Sequence, residues 1–184
     1  MMKILVCILA LAGALGTAVA QQRITGEIDG ASYEIDVPAE PNGYLLMLAH
    51  GYRPESLPLT PSYGASNTML EDLLAEGWTV ASTSYRRNGW IMEDAGQDIL
   101  NLRALISKEV MHPEKVFLMG NSMGAGVITW LSENAPDYFD GGLCLGAYLY
   151  GPIFSEGDAL TALGDHYAFT PKFPLLYLTN TSEL

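Results

Sequence analysis

A regular alternation of apolar strand-like segments with amphipathic helical segments constrains the fold of this chain more than any other feature. Tyr44–Ala49 is a continuous apolar run, typical of a strand buried on both faces. Residues 93–108 repeat apolar side chains at spacings of four, three and four, the period of a helix with one buried face. Strands that alternate with helices predict an α/β fold with a doubly wound, mostly parallel sheet covered on both faces. The other predicted elements are helices 67–76 and 124–133 and strands 78–84, 115–119, 142–148 and 175–179.

An N-terminal hairpin is predicted at the edge of this sheet. Residues 33–37 alternate strictly between apolar and polar side chains, and residues 23–28 do so loosely. Asp29-Gly30 lies between the two runs, and this dipeptide is a strong signal for a two-residue hairpin turn. We therefore expect the hairpin to form an antiparallel edge.

The first twenty residues have the pattern of a secretory signal peptide. Lys3 precedes a short apolar run, and Ala18-Val19-Ala20 forms a cleavage site of the A-x-A type. A membrane anchor is the alternative, but the second half of the run is rich in small residues. The pattern predicts a secreted or periplasmic protein with no membrane span after cleavage. Residues 21–184 would then form a single domain. Cys144 is the one cysteine of that segment, and we expect it to be a buried thiol on a strand.

Charge and composition narrow the class of partner. The 184 residues include 9 Lys+Arg and 21 Asp+Glu, for a net charge of −12. This balance argues against nucleic acid, which requires clustered cations. No His, Cys and carboxylate cluster has the spacing of metal ligands, and no Gly-rich loop matches a phosphate cradle. We therefore expect a small-molecule substrate and neither a metal nor a cofactor.

The segment Gly120-Asn121-Ser122-Met123-Gly124 follows a predicted strand and opens a predicted helix. G-x-S-x-G in that context is typical of a nucleophile elbow, in which a strained backbone exposes the serine hydroxyl. Gly120 and Gly124 are expected to be glycines because side chains there would collide with neighbouring elements. The candidate nucleophile is Ser122. The alternative is a Gly-rich turn that carries an incidental serine.

A second segment, His50-Gly51-Tyr52, directly follows the buried strand Tyr44–Ala49. An oxyanion hole needs the N–H of the residue after the nucleophile, here Met123, and an N–H from the loop after an earlier strand. Tyr52 stands where that second donor should be, and Gly51 allows its backbone to approach a substrate. We expect His50 to position the loop and not to catalyse.

With Ser84-Tyr85-Arg86-Arg87 and the segment from Pro174 to Glu183, these motifs resemble the α/β-hydrolase superfamily, most closely its secreted esterase and prolyl-oligopeptidase-like branch. The resemblance covers the chain from about Tyr44 to its end. It implies a secreted serine hydrolase that cleaves carboxylic esters, or less favourably peptides. It also implies that Glu183 is the acid of the catalytic triad, with a terminal carboxylate of no function as the alternative.

The family places its triad in the order serine, acid, histidine, so a histidine is expected after Glu183. This sequence has none there. The chain has three histidines, and all precede it: His50, His112 and His166. We expect the 184 residues to be the N-terminal part of a longer hydrolase and to be inactive alone. One alternative is a triad of Ser122, Asp158 and His166. Another is a non-catalytic binding protein, or a degenerate fragment, on a hydrolase scaffold.

Two further groups of residues fall in loops near this edge of the sheet. Arg86-Arg87 is followed by acidic residues and forms either a clamp for a substrate carboxylate or, as favoured, local ion pairs. A set of aromatic residues forms either the lining of an acyl or aromatic pocket or ordinary half-buried surface: Tyr52, Tyr63, Trp90, Tyr148, Tyr150 and Phe154.

Overall fold

The computed structural model describes residues 22–61, 67–149, 152–153, 161–162 and 166–179. The predicted signal peptide, residues 1–20, lies outside these ranges. The α-helices in them are α1 (Asn67–Ala75), α2 (Met92–Leu105) and α3 (Met123–Asn134). The strands are β1 (Gln22–Ile28), β2 (Ala31–Val37), β3 (Tyr44–Ala49), β4 (Thr79–Thr83), β5 (Lys115–Asn121), β6 (Gly141–Leu145), β7 (Pro152–Ile153), β8 (Thr161–Ala162) and β9 (Leu175–Leu178).

Seven of these strands form one sheet in the order β1-β2-β4-β3-β5-β6-β9. β1 pairs antiparallel with β2, and β2 with β4. The pairs from β4 through β3, β5 and β6 to β9 are all parallel. β7 and β8 form a separate antiparallel pair. The predicted fold class, a mostly parallel sheet with an antiparallel N-terminal hairpin, is confirmed.

The hairpin turn has the geometry that its sequence predicts. Asp29 and Gly30 both have positive φ, 50° and 86°. Two successive residues of positive φ give the turn a twist that matches the twist of the flanking strands. Asp-Gly is suited to this turn because glycine adopts positive φ without steric cost, and aspartate tolerates it.

The central strands separate two apolar layers. Leu45 and Met47 of β3 belong to the main core, on the side covered by α2 and α3. Leu46 and Leu48 point to the other side, where the apolar face of α1 covers them. β9 is less buried than the central strands, since its Leu176 and Leu178 are 58% and 50% exposed. The alternation along β3 shows why its sequence is apolar throughout: both of its faces are buried.

Two predicted element boundaries are wrong. The predicted helix 93–108 is regular only to Leu105, and Ile106–Val110 then form a π turn in which the Met111 N–H donates to the Ile106 carbonyl at 2.9 Å. The predicted strand 142–148 ends at Leu145, because Gly146 takes a positive φ of 52°. Tyr148 therefore lies in the loop after β6.

Candidate active site

The candidate site lies at the edge of the sheet where the parallel strands end. Loops leave the carboxyl ends of β3, β4, β5 and β6 at this edge. In open α/β sheets this is the edge at which ligands bind. The predicted site residues His50, Gly51, Tyr52, Ser122 and Met123 all lie there.

Ser122 joins β5 directly to α3 in a backbone conformation that L-residues rarely adopt. Its φ is 52° and its ψ is −119°. The Ser122 N–H donates to the Leu145 carbonyl of β6 at 2.9 Å, and its carbonyl accepts from Ala125 and Gly126 at 3.1 and 3.3 Å. Such a conformation costs roughly 1–3 kcal/mol and persists only where the surroundings enforce it. Here the neighbouring strand and the first turn of α3 enforce it together.

The flanking glycines are required by close backbone packing. A Cβ added at Gly120 would lie 2.7 Å from the carbonyl carbon of Gly124. A Cβ at Gly124 would lie 2.6 Å from the Ala49 carbonyl carbon and 2.7 Å from the His50 carbonyl oxygen. Real Cβ atoms do not approach backbone this closely, so the sharp turn from β5 into α3 beside the end of β3 demands both glycines.

The loop after β3 lies against the turn that carries Ser122. A Cβ at Gly51 would be 3.4 Å from the Ser122 Cβ and 3.2 Å from the Asn121 carbonyl oxygen. Within the part of the chain that the structure describes, the N–H groups of Tyr52 and Met123 donate to no protein acceptor. Met123 is also the first residue of α3, where the helix dipole favours negative charge. The role of these two N–H groups in an oxyanion hole stays a prediction.

His50 is buried and its ring faces two backbone carbonyls. Nδ1 lies 2.7 Å from the Gly51 carbonyl oxygen, and Nε2 lies 3.1 Å from that of Ser84. Burial lowers the pKa of the imidazole, so the ring is neutral at pH 7 and donates from one nitrogen only. Contacts of both ring nitrogens with backbone agree with a residue that fixes the loop after β3.

Tyr85 is a supporting residue that the sequence did not reveal. It is fully buried with a positive φ of 58°, and its hydroxyl donates to the His50 carbonyl at 3.3 Å. Its ring centroid lies 4.0 Å from that of His50. No sequence signal marks a tyrosine in the left-handed region, since glycine and asparagine are the usual residues there.

The other two histidines stand apart from Ser122. His112 lies in the loop that leads into β5, at the opposite edge of the sheet. His166 Nδ1 lies 3.6 Å from Glu93 Oε1 on the first turn of α2. All three histidines are within the described residues, and none of them hydrogen-bonds Ser122. Asp158 and Glu183, the two predicted triad acids, lie outside the described residues.

The two arginines after β4 form ion pairs with α2. The Arg86 guanidinium donates from Nε and a terminal nitrogen to Asp98 Oδ1 at 2.9 and 2.6 Å, and its backbone N–H donates to Oδ2 at 2.8 Å. Arg87 pairs with Asp94 at 2.8 Å. The favoured interpretation of this cluster as local ion pairs fits these contacts better than a substrate clamp.

A cavity of about 380 Å³ opens between the loops after β3 and β4. Asn88 donates from its amide nitrogen to the Leu57 carbonyl at 2.7 Å, while its buried Oδ1 has no hydrogen-bond partner among the described residues. The residues that line the cavity are Glu55, Leu57, Leu59, Arg86, Arg87 and Asn88.

The described ranges contain no group of three or more His, Cys, Asp or Glu side chains placed to hold a metal ion. Among the same residues, no helix has the length and apolar character needed to cross a membrane.

A curated amidase is similar in sequence to most of this chain. No protein-family model matches the chain. It is 32% identical over 164 residues to an o-phthalyl amidase of Xanthobacter agilis, an alignment that covers 83% of this chain and 34% of the amidase. The chain thus spans about a third of the length of that curated relative.

Solved structures of hydrolases share the architecture. An esterase of Pyrococcus furiosus superposes with a TM-score of 0.54 at 16% identity, over 72% of this chain and 53% of that one. An acylaminoacyl peptidase of Pyrococcus horikoshii superposes with a TM-score of 0.54 at 16% identity, over 71% and 23%. The chain has the α/β-hydrolase fold, as the resemblance of its motifs predicts.

Proposed function

We propose that this chain carries the nucleophile and the oxyanion site of a serine hydrolase that cleaves carboxylic esters or amides. The observation that carries the proposal is the left-handed backbone of Ser122 at the junction of β5 and α3. The relatives named as esterase, amidase and peptidase support both kinds of scissile bond. We favour an ester as the substrate, since an esterase needs only a pocket to bind it.

The proposed chemistry is acyl transfer. Ser122 Oγ attacks the carbonyl carbon, and the electron pair of the carbonyl moves to its oxygen. The N–H groups of Tyr52 and Met123 donate to this oxyanion; a single such donor is worth about 2.7–4 kcal/mol in the transition state. Collapse of the intermediate breaks the bond to the leaving oxygen or nitrogen, which takes up the proton that the Ser122 hydroxyl gave to the base and departs as alcohol or amine. Water then attacks the acyl group, which releases the acid and returns a proton to Ser122 Oγ.

The proton of the Ser122 hydroxyl needs a base, and we propose that none of the three histidines of this chain supplies it. Both ring nitrogens of His50 face backbone carbonyls, and among the described residues neither His112 nor His166 hydrogen-bonds Ser122. In this proposal Glu183 is the acid of the catalytic triad. The chain as given should then retain only the roughly 10³–10⁴-fold acceleration over water that an oxyanion hole and binding provide.

Labelling with a fluorophosphonate in the presence of added imidazole tests the nucleophile, because imidazole takes the Ser122 proton that no side chain of this chain takes. We expect the adduct to map to Ser122 by mass spectrometry and to be absent from Ser122→Ala. Ser107→Ala is the matched control, because Ser107 lies in the π turn away from this edge of the sheet. An adduct on another serine, or none after prolonged exposure, would overturn the proposal.

Chemical rescue tests the missing base. Added imidazole should raise the rate of Ser122-dependent ester hydrolysis in proportion to its concentration, because it can take the proton that no side chain takes. His166→Ala should leave the unrescued rate unchanged. A drop of about a thousandfold in His166→Ala would instead make His166 the base and favour the alternative triad.

A non-catalytic binding protein is the second candidate function. The observation that favours it is that none of the three histidines, all of them within the described residues, hydrogen-bonds Ser122. Such a protein would bind an ester or amide without forming an acyl-enzyme, with or without imidazole. Saturable binding together with no rescue and no labelling would select this function.

We also propose that the protein is exported and cleaved after Ala20, on the pattern of residues 1–20. N-terminal sequencing of the exported protein should begin at Gln21. A protein that keeps Met1 would contradict this.

A further inference from the structure

Three aromatic side chains make successive ring contacts along the edge of the sheet that carries Ser122. Tyr52 follows β3, Trp90 precedes α2 and Tyr148 follows β6. The rings of Tyr52 and Trp90 are stacked, with centroids 5.3 Å apart and planes 25° apart. The centroids of Trp90 and Tyr148 are 5.9 Å apart. We call these three residues the aromatic arch.

The strand order fixes where the aromatic arch runs. β5 lies between β3 and β6 in the sheet. Ring contacts that join the loop after β3 to the loop after β6 therefore cross the carboxyl end of β5, where Ser122 stands.

Chain segments next to both ends of the aromatic arch lie close to Ser122. A Cβ at Gly51, the neighbour of Tyr52, would lie 3.4 Å from the Ser122 Cβ. The carbonyl of Leu145, the last residue of β6 and three residues before Tyr148, accepts the Ser122 N–H. Tyr52 and Tyr148 therefore follow, by one and three residues, chain positions that lie beside the proposed nucleophile.

The aromatic arch offers flat apolar surface to a ligand. Tyr52 is 40% exposed and Tyr148 is 39% exposed, while Trp90 packs partly against the main core and holds the middle of the arch. An aryl group gains offset-stacked or edge-to-face contacts on such rings, beyond the gain from buried area that an alkyl group of equal size also makes. The net charge of −12 disfavours anionic ligands.

We propose that the aromatic arch is a substrate subsite that selects uncharged esters or amides with an aryl group next to the scissile carbonyl. This inference rests on the proposed function, because it takes Ser122 as the nucleophile. The aryl group is joined either to the carbonyl carbon or to the leaving oxygen or nitrogen. Trp90 and Tyr148 act here as specificity-determining residues, separate from the groups that carry out acyl transfer.

Three uncharged esters separate the possibilities. Methyl benzoate carries the aryl group on the acyl side, phenyl acetate carries it on the leaving side, and methyl cyclohexanecarboxylate has a ring of similar size with no π system. With imidazole added as the base, we expect Trp90→Leu to lower kcat/KM about tenfold for at least one aryl ester and less than twofold for the cyclohexane ester. The aryl ester that loses more identifies the side.

Trp78→Leu is the matched control. Trp78 packs against Tyr44 and Phe117, with centroids 5.1 and 5.7 Å away, in a second aromatic group at the opposite edge of the sheet. The control removes the same side chain and should leave the ratio of aryl to cyclohexane activity unchanged. An equal loss on all three esters in Trp90→Leu, or no loss on any of them, would overturn the inference.

A binding measurement distinguishes failure of the subsite from failure of the proposed function. Benzamide and cyclohexanecarboxamide are titrated into the full chain carrying Ser122→Ala and followed by NMR. We expect saturable benzamide binding that weakens about tenfold when Trp90→Leu is added, and much weaker binding of the cyclohexane amide. If Trp90→Leu does not fold, Tyr148→Leu takes its place. Equal affinity for the two amides would overturn the inference even if Ser122 is labelled by a fluorophosphonate.

Discussion

At the scale of single residues, backbone contact around Ser122 explains why the motif has glycines at its first and last positions. Gly120 faces the first turn of α3, and Gly124 faces the end of β3. The pattern G-x-S-x-G could therefore be identified in the sequence from its flanking strand and helix. The left-handed φ of Tyr85 could not, because a tyrosine there is held by its burial and by contacts with His50 that join distant parts of the chain.

We predict that Gly124→Ala destabilises the fold by about 3 kcal/mol. The added methyl group would overlap the Ala49 and His50 carbonyl groups, and backbone cannot move aside as a flexible side chain can. Gly141→Ala is the control, since a Cβ there meets its nearest neighbours at an ordinary 3.4 Å. Urea unfolding of both variants measures the difference, and equal midpoints would contradict the packing described for Gly124.

We predict that Ser122→Gly is more stable than Ser122→Ala by about 1 kcal/mol. A φ of 52° costs an L-residue roughly 1–3 kcal/mol, and glycine avoids this cost. Glycine in turn loses roughly 0.5–1 kcal/mol, because its unfolded chain has more conformational freedom. Thermal or urea unfolding of the two variants gives the difference directly. A Ser122→Gly variant no more stable than Ser122→Ala would mean that the turn stores no strain.

Among the helices and strands, α2 is held to the loop after β4 by hydrogen bonds and an ion pair to one buried carboxylate. Asp98 accepts three hydrogen bonds from Arg86 with its side chain only 1% exposed. Asp94, one turn earlier on α2, holds Arg87 in an exposed pair. The two pairs have the same chemistry in different surroundings.

We predict that Asp98→Ala costs about 3 kcal/mol of folding free energy, because it leaves a partly buried guanidinium and a backbone N–H without their acceptor. Asp94→Ala should cost less than about 1 kcal/mol, since exposed ion pairs contribute little. Denaturant unfolding of the two variants compares them. Equal losses of folding free energy in the two variants would show that burial does not set the strength of the Arg86–Asp98 ion pair.

The strands and helices of the core could be predicted because each buries a face with a clear period. β3 matches its predicted bounds, and α2 keeps Ile99 and Leu102 in the core as its period requires. The errors lie at element ends. The π turn at Ile106–Val110 keeps Ile106 buried without any change in the apolar period, so the sequence pattern does not distinguish it from an α-helix.

At the scale of the whole molecule, the strand order brings four loops to one edge, and the candidate site is assembled from them. Sequence alone could assign Ser122, Tyr52 and Met123 to that edge, because parallel strands share a carboxyl end. It could not show that Trp90 contacts both Tyr52 and Tyr148, since those contacts depend on the order of strands in the sheet. The predicted acids Asp158 and Glu183 remain predictions, as does the extent of the domain over residues 21–184.

Ser122 is proposed to attack a carbonyl whose oxygen accepts hydrogen bonds from two backbone N–H groups. A crystal structure of the chain after prolonged reaction with a fluorophosphonate, with imidazole added as the base, tests this proposal. We predict a phosphonyl group on Ser122 Oγ, with its oxygen about 2.7–3.1 Å from the nitrogens of both Tyr52 and Met123. An adduct on Ser122 whose oxygen points away from these two nitrogens, or an adduct on a different side chain, would contradict the account.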